Sequence, residues 1–396
     1  MTTAAIIDSL SCSVAVSVPL QPAEPSATAT SRRQGSIANY TERGRAHALG
    51  HEGTTHAAIA RRLGALLGLD YLDHPDLRDR PATGCYLVPS DTLVDIERAQ
   101  ALGVFSADDL FGAVVPHSFI ATKAITHPII SPDAVAPDGW IAAFAEQVRD
   151  AVLSGLAAFS LDDARRAGLL LLEDGPVRLK SVLGVGGRGQ VTVRDASALD
   201  AALAAIDPQE IAGHGLVLEE NLVDVVTLSV GQVQVGGMTA SYHGSQRLTR
   251  DHRGELVYGG SDLHVVRGGF DTLLAVDLPE HVRLAIVQAR RYDTAADHLF
   301  AGFFASRRNY DVAQGLNGRG EWRSGVLEQS WRIGGASGAE VAALEAFQAD
   351  PRLSSVQAST FECYGGTKAP AGAIVSFDGV DPELGQILKY TVVEPS

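Results

Sequence analysis

Positive charge is scarce in this chain. Its 396 residues carry 32 Lys and Arg against 47 Asp and Glu, a formal net charge of −15. Nucleic-acid binding needs clustered cations to displace counterions from phosphates, so a general nucleic-acid binder is excluded. An anionic small ligand is not excluded, because a few local cations and backbone amides can hold a phosphate inside an acidic protein. Cysteine is also scarce. Cys12, Cys85 and Cys363 are scattered, without C-x-x-C spacing, so neither a disulfide framework nor a zinc site is indicated, and a reducing cytoplasmic setting is expected. No apolar run approaches the roughly 18 residues that span a bilayer. The mildly apolar N-terminus is interrupted by Asp8 and lacks a basic flank, so it does not read as a signal peptide, and no membrane partner is expected.

What is present is an ordinary globular composition, 45% hydrophobic and 20% charged, with chain enough for two or three domains. Residues 1–40 are rich in Ser, Thr, Ala and Pro (PLQPAEPSATATS), cannot bury a core and read as a flexible tail. Apolar residues at helical spacing over 51–69, the runs CYLVP (85–89) and GAVVP (112–116), and a helical stretch over 90–103 between them predict a small α/β domain. A helix is expected over 138–158, with a second opening at Ser160 as N-cap.

The sharpest local feature is VRLKSVLGVGGRGQVTV, 177–193. Gly184, Gly186 and Gly189 satisfy G-x-G-x-x-G, but a dinucleotide site needs a helix next, and Gln190-Val191-Thr192-Val193 reads as a strand. The dinucleotide fingerprint therefore fails its own test, and a nicotinamide-dependent oxidoreductase stays as a third reading that titration with NADH against ATP would separate. No Gly-Lys-Ser/Thr closes the loop, so a Walker A site fails as well. What remains is a glycine-rich flap between antiparallel strands, preceded by Lys180. Glycines let backbone N–H groups approach phosphates, and the lysine offers a point charge.

On Lys180 and Gly186-Gly187-Arg188-Gly189 the chain resembles the ATP-grasp superfamily, in its biotin carboxylase-like branch. GLVLEENL continues the likeness: Glu219 stands where the family places an acid near the adenine amino group and ribose, and Leu222 closes the same E-x-x-L turn. Lys123, in ATKAITHP, stands where the family has a lysine on the α-phosphate. Downstream, Asp311 is followed by Glu328-Gln329-Ser330-Trp331-Arg332 and Gly334-Gly335, against a family pattern of an acid, then E-x-N-x-R, then Gly-Gly. Ser330 stands where the pattern has Asn, and a hydroxyl is a weaker fixed oxygen ligand than an amide carbonyl. Strand period two puts Glu328, Ser330 and Arg332 on one face, and a hairpin brings Asp311 beside them. Two carboxylates and a hydroxyl suit Mg²⁺.

The resemblance implies an α/β (α+β) ATP-grasp fold. The expected parts are a tail (1–40), a small α/β domain (41–125), a small lobe with the flap (126–222), and a large lobe with a C-terminal extension (223–396). It implies an ATP- and Mg²⁺-dependent ligase that activates a small-molecule carboxylate as an acylphosphate for attack by an amine, thiol or other nucleophile. Lys123, Lys180, Gly186, Gly187, Gly189, Glu219 and Leu222 are the implied nucleotide contacts. Asp311, Glu328 and Ser330 are the implied metal ligands, and Lys180 and Arg332 the catalytic cations. A homodimer is left open. Ser330 keeps a second reading in view, a nucleotide-binding regulator that does not catalyse. Gln246, Tyr258 and Ser261 are weaker candidates for substrate or ribose contacts, and Arg307-Arg308 for phosphate. His243, His252 and His264 lack metal-ligand spacing and read as ordinary polar residues.

Overall fold

Short apolar runs punctuated by glycine and proline form the first strands. The computed structural model describes residues 35–42, 50–73, 84–182 and 189–395. Strands β1 (Ser36–Tyr40), β2 (Asp70–Leu72) and β3 (Cys85–Pro89) form a parallel sheet in the order β2-β1-β3. The expected tail to residue 40 is therefore too long: β1 is the central strand, because Ile37 and Ala38 are fully buried. The rest of that tail lies outside the described residues. Parallel neighbours need a crossover. Helix α1 (His51–Leu67) supplies it and buries Ile59, Ala60 and Leu63 against Ile37 and Val88. It ends where Gly68 takes φ 70° and returns its amide to Ala65.

The helix expected over 90–103 is shorter. A strand, β4 (Leu93–Val94), comes first, and Asp95 then caps α2 (Ile96–Ala101) by accepting the Glu97 amide at 2.9 Å. Strand β5 (Ala113–Val115) pairs with β4 rather than with the first sheet. The helix expected over 138–158 is also shorter. Helix α3 (Ala142–Val148) passes into a 3-10 turn, and Gly155–Ala158 is a strand, β6. Gly155 decides this locally, since a Cβ there would meet the His127 ring and the Leu218 carbonyl within 2.8 Å.

Strand β6 joins β7 (Val177–Ser181), β8 (Gln190–Val193) and β9 (Leu216–Glu220) in an antiparallel sheet, order β6-β9-β7-β8. Helices α4 (Leu161–Leu172) and α5 (Ala196–Ala204) cover it, with Ala164, Ala167 and Leu199 packed on Leu179 and Leu218. Ser160 caps α4 as expected, its Oγ accepting the Asp163 amide at 3.1 Å. A short α6 (Pro208–His214) leads into β9.

The second, larger sheet is antiparallel throughout. It contains β10 (Val223–Val235), β11 (Met238–Arg250), β12 (Leu256–Arg267), β14 (Arg307–Leu316), β15 (Trp322–Ser330), β16 (Ser355–Tyr364), β17 (Ile374–Asp381) and β18 (Gly385–Pro395). The order is β15-β14-β10-β11-β12-β16-β18-β17, so the C-terminal extension widens this sheet. A short β13 (Phe304–Ala305) pairs back to β5. Helices α7 (Phe270–Leu274) and α8 (Glu280–Leu299) cover one face through Leu273, Ile286 and Tyr292 on Val230 and Val312. Helix α9 (Ser337–Ala349) and α1 cover part of the other through Leu344 and Leu63 on Val265 and Val356. Among the described residues no helix is long and apolar enough to cross a membrane.

The segment leading into β6 meets the large sheet at Gly325, where a Cβ would lie 2.4 Å from the Leu153 nitrogen and 2.5 Å from the Val152 carbonyl carbon. The obstacle is backbone and cannot rotate away. Gly325→Ala should lower unfolding free energy by about 1–3 kcal/mol in urea, as overpacking does; an unchanged urea midpoint would contradict this close approach.

Candidate functional site

A cleft of about 1200 Å³ opens between these two sheets. Lys123, Lys180, Glu219, Leu222, Asp311, Glu328, Ser330 and Arg332 all line it. Gly189 takes φ 71° and bonds back to the Ser181 amide, so β7 and β8 stay paired to that point. Gly184, Gly186, Gly187 and Arg188 lie outside the described residues. Val182 and Gln190, on either side of them, both line the cleft.

Strands β7 and β9 build one wall. Lys180 and Glu219 are 3% and 2% exposed and form an ion pair between Nζ and Oε1. His127 Nε2 lies 3.4 Å from the other Glu219 oxygen. Burial alone would raise this carboxyl, but Lys180 and then His127 outweigh it and hold Glu219 at about 2. Glu219 is thus an ionised anchor that fixes where the lysine charge sits. Leu222, expected as a nucleotide contact, is buried beside Leu153 and Ala313, with Leu327 packed against them. All four line the cleft and give it an apolar patch.

Strands β14 and β15 build the opposite wall. Asp311 pairs directly with Glu328, and the register then slips, leaving Leu327 as an extra residue. Burial and the Glu328 charge push Asp311 up to about 6, while hydrogen bonds from Gln246, Asn309 and Ser229 pull the other way. Lys123 sits in a 3-10 turn with Nζ 2.7 Å from Glu328 Oε2. That turn is held by the residue between the site positions. Gln329 points to the other face and donates to the Ile120 and Thr122 carbonyls, both at 2.8 Å.

Ser330 is the last residue of β15, so Arg332 is not on the strand as expected. Trp331 is buried against Phe303 and donates to the Tyr310 hydroxyl at 3.1 Å, and Ile333 is buried too, which turns the chain. Arg332 reaches the cleft from this bend, and its Nη1 donates to the Ile333 carbonyl at 3.0 Å. Arg307 holds the bend by donating to the Ser330 carbonyl at 2.9 Å and to the Arg332 carbonyl. It is 1% exposed and paired with the fully buried Glu340 at 2.8 Å, so it packs under the site instead of facing solvent. Arg308 pairs with Asp293 and Asp297.

Of the weaker candidates, Gln246 donates to Asp311 Oδ1 at 2.8 Å, whereas Tyr258 and Ser261 bond each other at 2.6 Å. His243 and His264 face each other across β11 and β12, with ring centroids 5.5 Å apart. Among the described residues no three His, Cys, Asp or Glu side chains cluster as a metal group, so Asp311 and Glu328 stand as a pair. Asn309, Tyr242, Gln329 and Glu340 are not candidates on the sequence spacing alone. Asn309 lies two residues before Asp311 on a strand, and period two puts both on the same face.

No curated protein sequence matches the chain at a significant level. Among solved structures the chain is similar to carboxyaminoimidazole ribonucleotide synthase from Aspergillus clavatus complexed with ATP. That match has 13% identity, covers 92% of this chain and 94% of that one, and has a TM-score of 0.49. It is also similar to a biotin carboxylase–ATP complex from Campylobacter jejuni (11% identity, 91% and 87% covered, TM-score 0.48). A third likeness is to phosphoribosylamine–glycine ligase from Thermotoga maritima (12% identity, 91% and 92% covered, TM-score 0.46). A small antiparallel sheet faces a large antiparallel sheet across this cleft, the mixed α/β two-lobed architecture expected from the motifs. At the level of family, a model described as "Protein of unknown function (DUF3182)" matches residues 39–391, and the chain belongs to that family.

Proposed function

We propose that this cleft binds ATP with Mg²⁺ and activates a small-molecule carboxylate for ligation to a nucleophile. The observation that carries the reading is the direct pairing of Asp311 with Glu328 in a cleft that also receives two buried lysines from other elements. The fit to a hard dication is chemical. Two carboxylates side by side, one of them pushed up by burial and by its neighbour, are stabilised by a cation, and the Lys123 ammonium already rests on Glu328. Asp311 and Glu328 would hold Mg²⁺, which supplies neutralising charge at the phosphates.

The chain's own groups do the rest. Lys180, fixed by Glu219, presents its charge to the phosphates, with Lys123 as a second cation across the cleft. Leu222 and Leu327 offer the apolar surface on which a flat base packs. Arg332 steadies the carboxylate substrate. The γ-phosphoryl passes from ATP to a carboxylate oxygen and ADP departs. The nucleophile then attacks the acyl carbon and inorganic phosphate leaves. Such chemistry is driven by positioning and charge stabilisation.

A second reading, a nucleotide-binding regulator without turnover, is favoured by one observation: the Ser330 hydroxyl lies 3.4 Å from the Arg307 guanidinium. A coupled ADP-release screen over carboxylic acids, each with and without an amine, decides between them. The ligase reading expects ADP release that depends on one carboxylate class. Tight ATP binding with no release under any pairing would favour the regulator, and no ATP binding at all would overturn both.

A further inference from the structure

We infer that Asn309, and not Ser330, supplies the third oxygen of the cation seat, so that the amide expected on β15 has moved to the facing position of β14. This deepens the proposed Mg²⁺ site and rests on it. Asn309 lies directly opposite Ser330 and two residues before Asp311, is 6% exposed, and lines the same cleft.

Two hydrogen-bond conflicts meet at its side chain. The Tyr242 hydroxyl lies 2.9 Å from Asn309 Oδ1 and 2.6 Å from Glu340 Oε1. A phenol has one proton to donate. Glu340 is gripped by Arg307 through both carboxylate oxygens, at 2.8 Å each, and acts as an acceptor, so the shorter contact takes the proton. The end of Asn309 facing Tyr242 then meets a lone pair and should be its NH₂. The second conflict is at Asp311 Oδ1, where Gln246 Nε2 (2.8 Å), Asn309 Nδ2 (3.1 Å) and Ser229 Oγ (3.4 Å) converge on one oxygen. An oxygen with two lone pairs has one donor too many.

The two ends of an amide have the same shape, and the surrounding donors and acceptors decide between them. A half-turn of the Asn309 amide resolves both conflicts: NH₂ donates to Tyr242, and Oδ1 takes the place 3.1 Å from the Asp311 carboxylate. Two oxygens so close repel one another unless a cation is shared between them. With a dication present, Asp311, Glu328 and Asn309 make an all-oxygen set, which is what Mg²⁺ prefers. Ser330 is poorly placed for the same task, because Arg307 donates to its carbonyl at 2.9 Å and lies 3.4 Å from its hydroxyl. A guanidinium there repels a dication.

The test is Mn²⁺ titration of the full chain, followed by electron paramagnetic resonance with a non-hydrolysable ATP analogue present, with thermal melts as the check on folding. Asn309→Ala should weaken Mn²⁺ by about tenfold or more, and Ser330→Ala by less than about twofold. Asn309→Asp keeps the shape and an oxygen and should bind Mn²⁺ at least as tightly as the parent; this holds even where the alanine variant fails to fold. The exchange N309S/S330N should not recover the lost affinity, because Arg307 lies against position 330. Unchanged affinity in Asn309→Ala, or a loss in Ser330→Ala equal to it, overturns the inference. Asp311→Asn separates the two levels. If the parent binds Mn²⁺, Asp311→Asn does not, and Asn309→Ala does, only the role of Asn309 falls. If neither the parent nor Asp311→Asn binds Mn²⁺, the proposed ATP–Mg²⁺ site falls with it.

Discussion

Lys180→Ala should remove nucleotide binding and a large share of the protein's stability together. Lys180 and Glu219 are 3% and 2% exposed, so deleting the lysine strands a carboxylate in the interior. Breaking one side of such a pair costs about 3–5 kcal/mol, a large part of the 5–15 kcal/mol typical of a folded domain. The pH dependence gives a second estimate. Glu219 is held at about 2 against an ordinary 4.5. A depressed carboxyl contributes stability that is present above pH 4.5 and is lost as pH falls through about 2. At 1.36 kcal/mol per pH unit, that interval is worth about 3 kcal/mol. The parent should therefore lose this increment on acidification below pH 4.5. The variant, lacking it already, should show a flatter acid limb. A charge-assisted contact to phosphate is worth about 1.5–3 kcal/mol more, seen only as lost ATP affinity. The double variant Lys180→Met, Glu219→Gln separates these effects: urea stability should largely return, while calorimetry with ATP should stay silent. A single variant as stable as the parent would mean that the pair is not buried in solution. A double variant that binds ATP normally would mean that the nucleotide sits elsewhere.

The parts of this site that sequence made legible are those set by short-range spacing. Period two on a strand places Glu328 and Ser330 on one face, and a hairpin brings Asp311 alongside; the observed register pairs Asp311 with Glu328 directly. Lys180 next to a glycine-rich strand connection is equally local. The antiparallel pairs around the flap and at Asp311 and Glu328 followed from the same periodicities, while the fold class came with the resemblance. What escaped depends on long-range burial. Arg332 would continue the strand by spacing alone, yet Trp331 and Ile333 are both buried and the chain bends after Ser330. Arg307 looks like a surface cation until Glu340, on a helix after the hairpin, is brought under it. VLSGLAAF carries no periodicity that separates a buried helix from a buried strand; the contact of Gly155 with His127 and the Leu218 carbonyl settles it as strand. The C-terminal strands β16–β18 gave no motif at all, and their role is to widen the large sheet and wall the cleft through Thr360, Glu362 and Lys389.

Asp311→Asn should make the metal-free protein more stable at neutral pH while abolishing turnover, the opposite of what loss of a structural carboxylate does. Asp311 is raised to about 6 from an ordinary 3.8, first by burial and then by Glu328. The folded state therefore binds the proton more tightly than the unfolded chain. The cost of ionising Asp311 appears as pH rises from 3.8, and is complete above about 6. Two units or so at 1.36 kcal/mol each make that cost about 3 kcal/mol at most. Asparagine keeps an oxygen for the hydrogen bonds from Gln246 and Ser229 but carries no charge, so the cost disappears. In urea melts the variant should exceed the parent at pH 7.5, and the difference should shrink to nothing by pH 4, where the parent is also protonated. Mg²⁺ should stabilise the parent above pH 6, as any ligand of the folded state does, and leave the variant unmoved. A variant that is less stable than the parent at pH 7.5 would mean that Asp311 is held ionised by a cationic side chain. A variant that Mg²⁺ still stabilises would mean that the dication binds elsewhere. Either outcome removes the metal seat from β14 and β15.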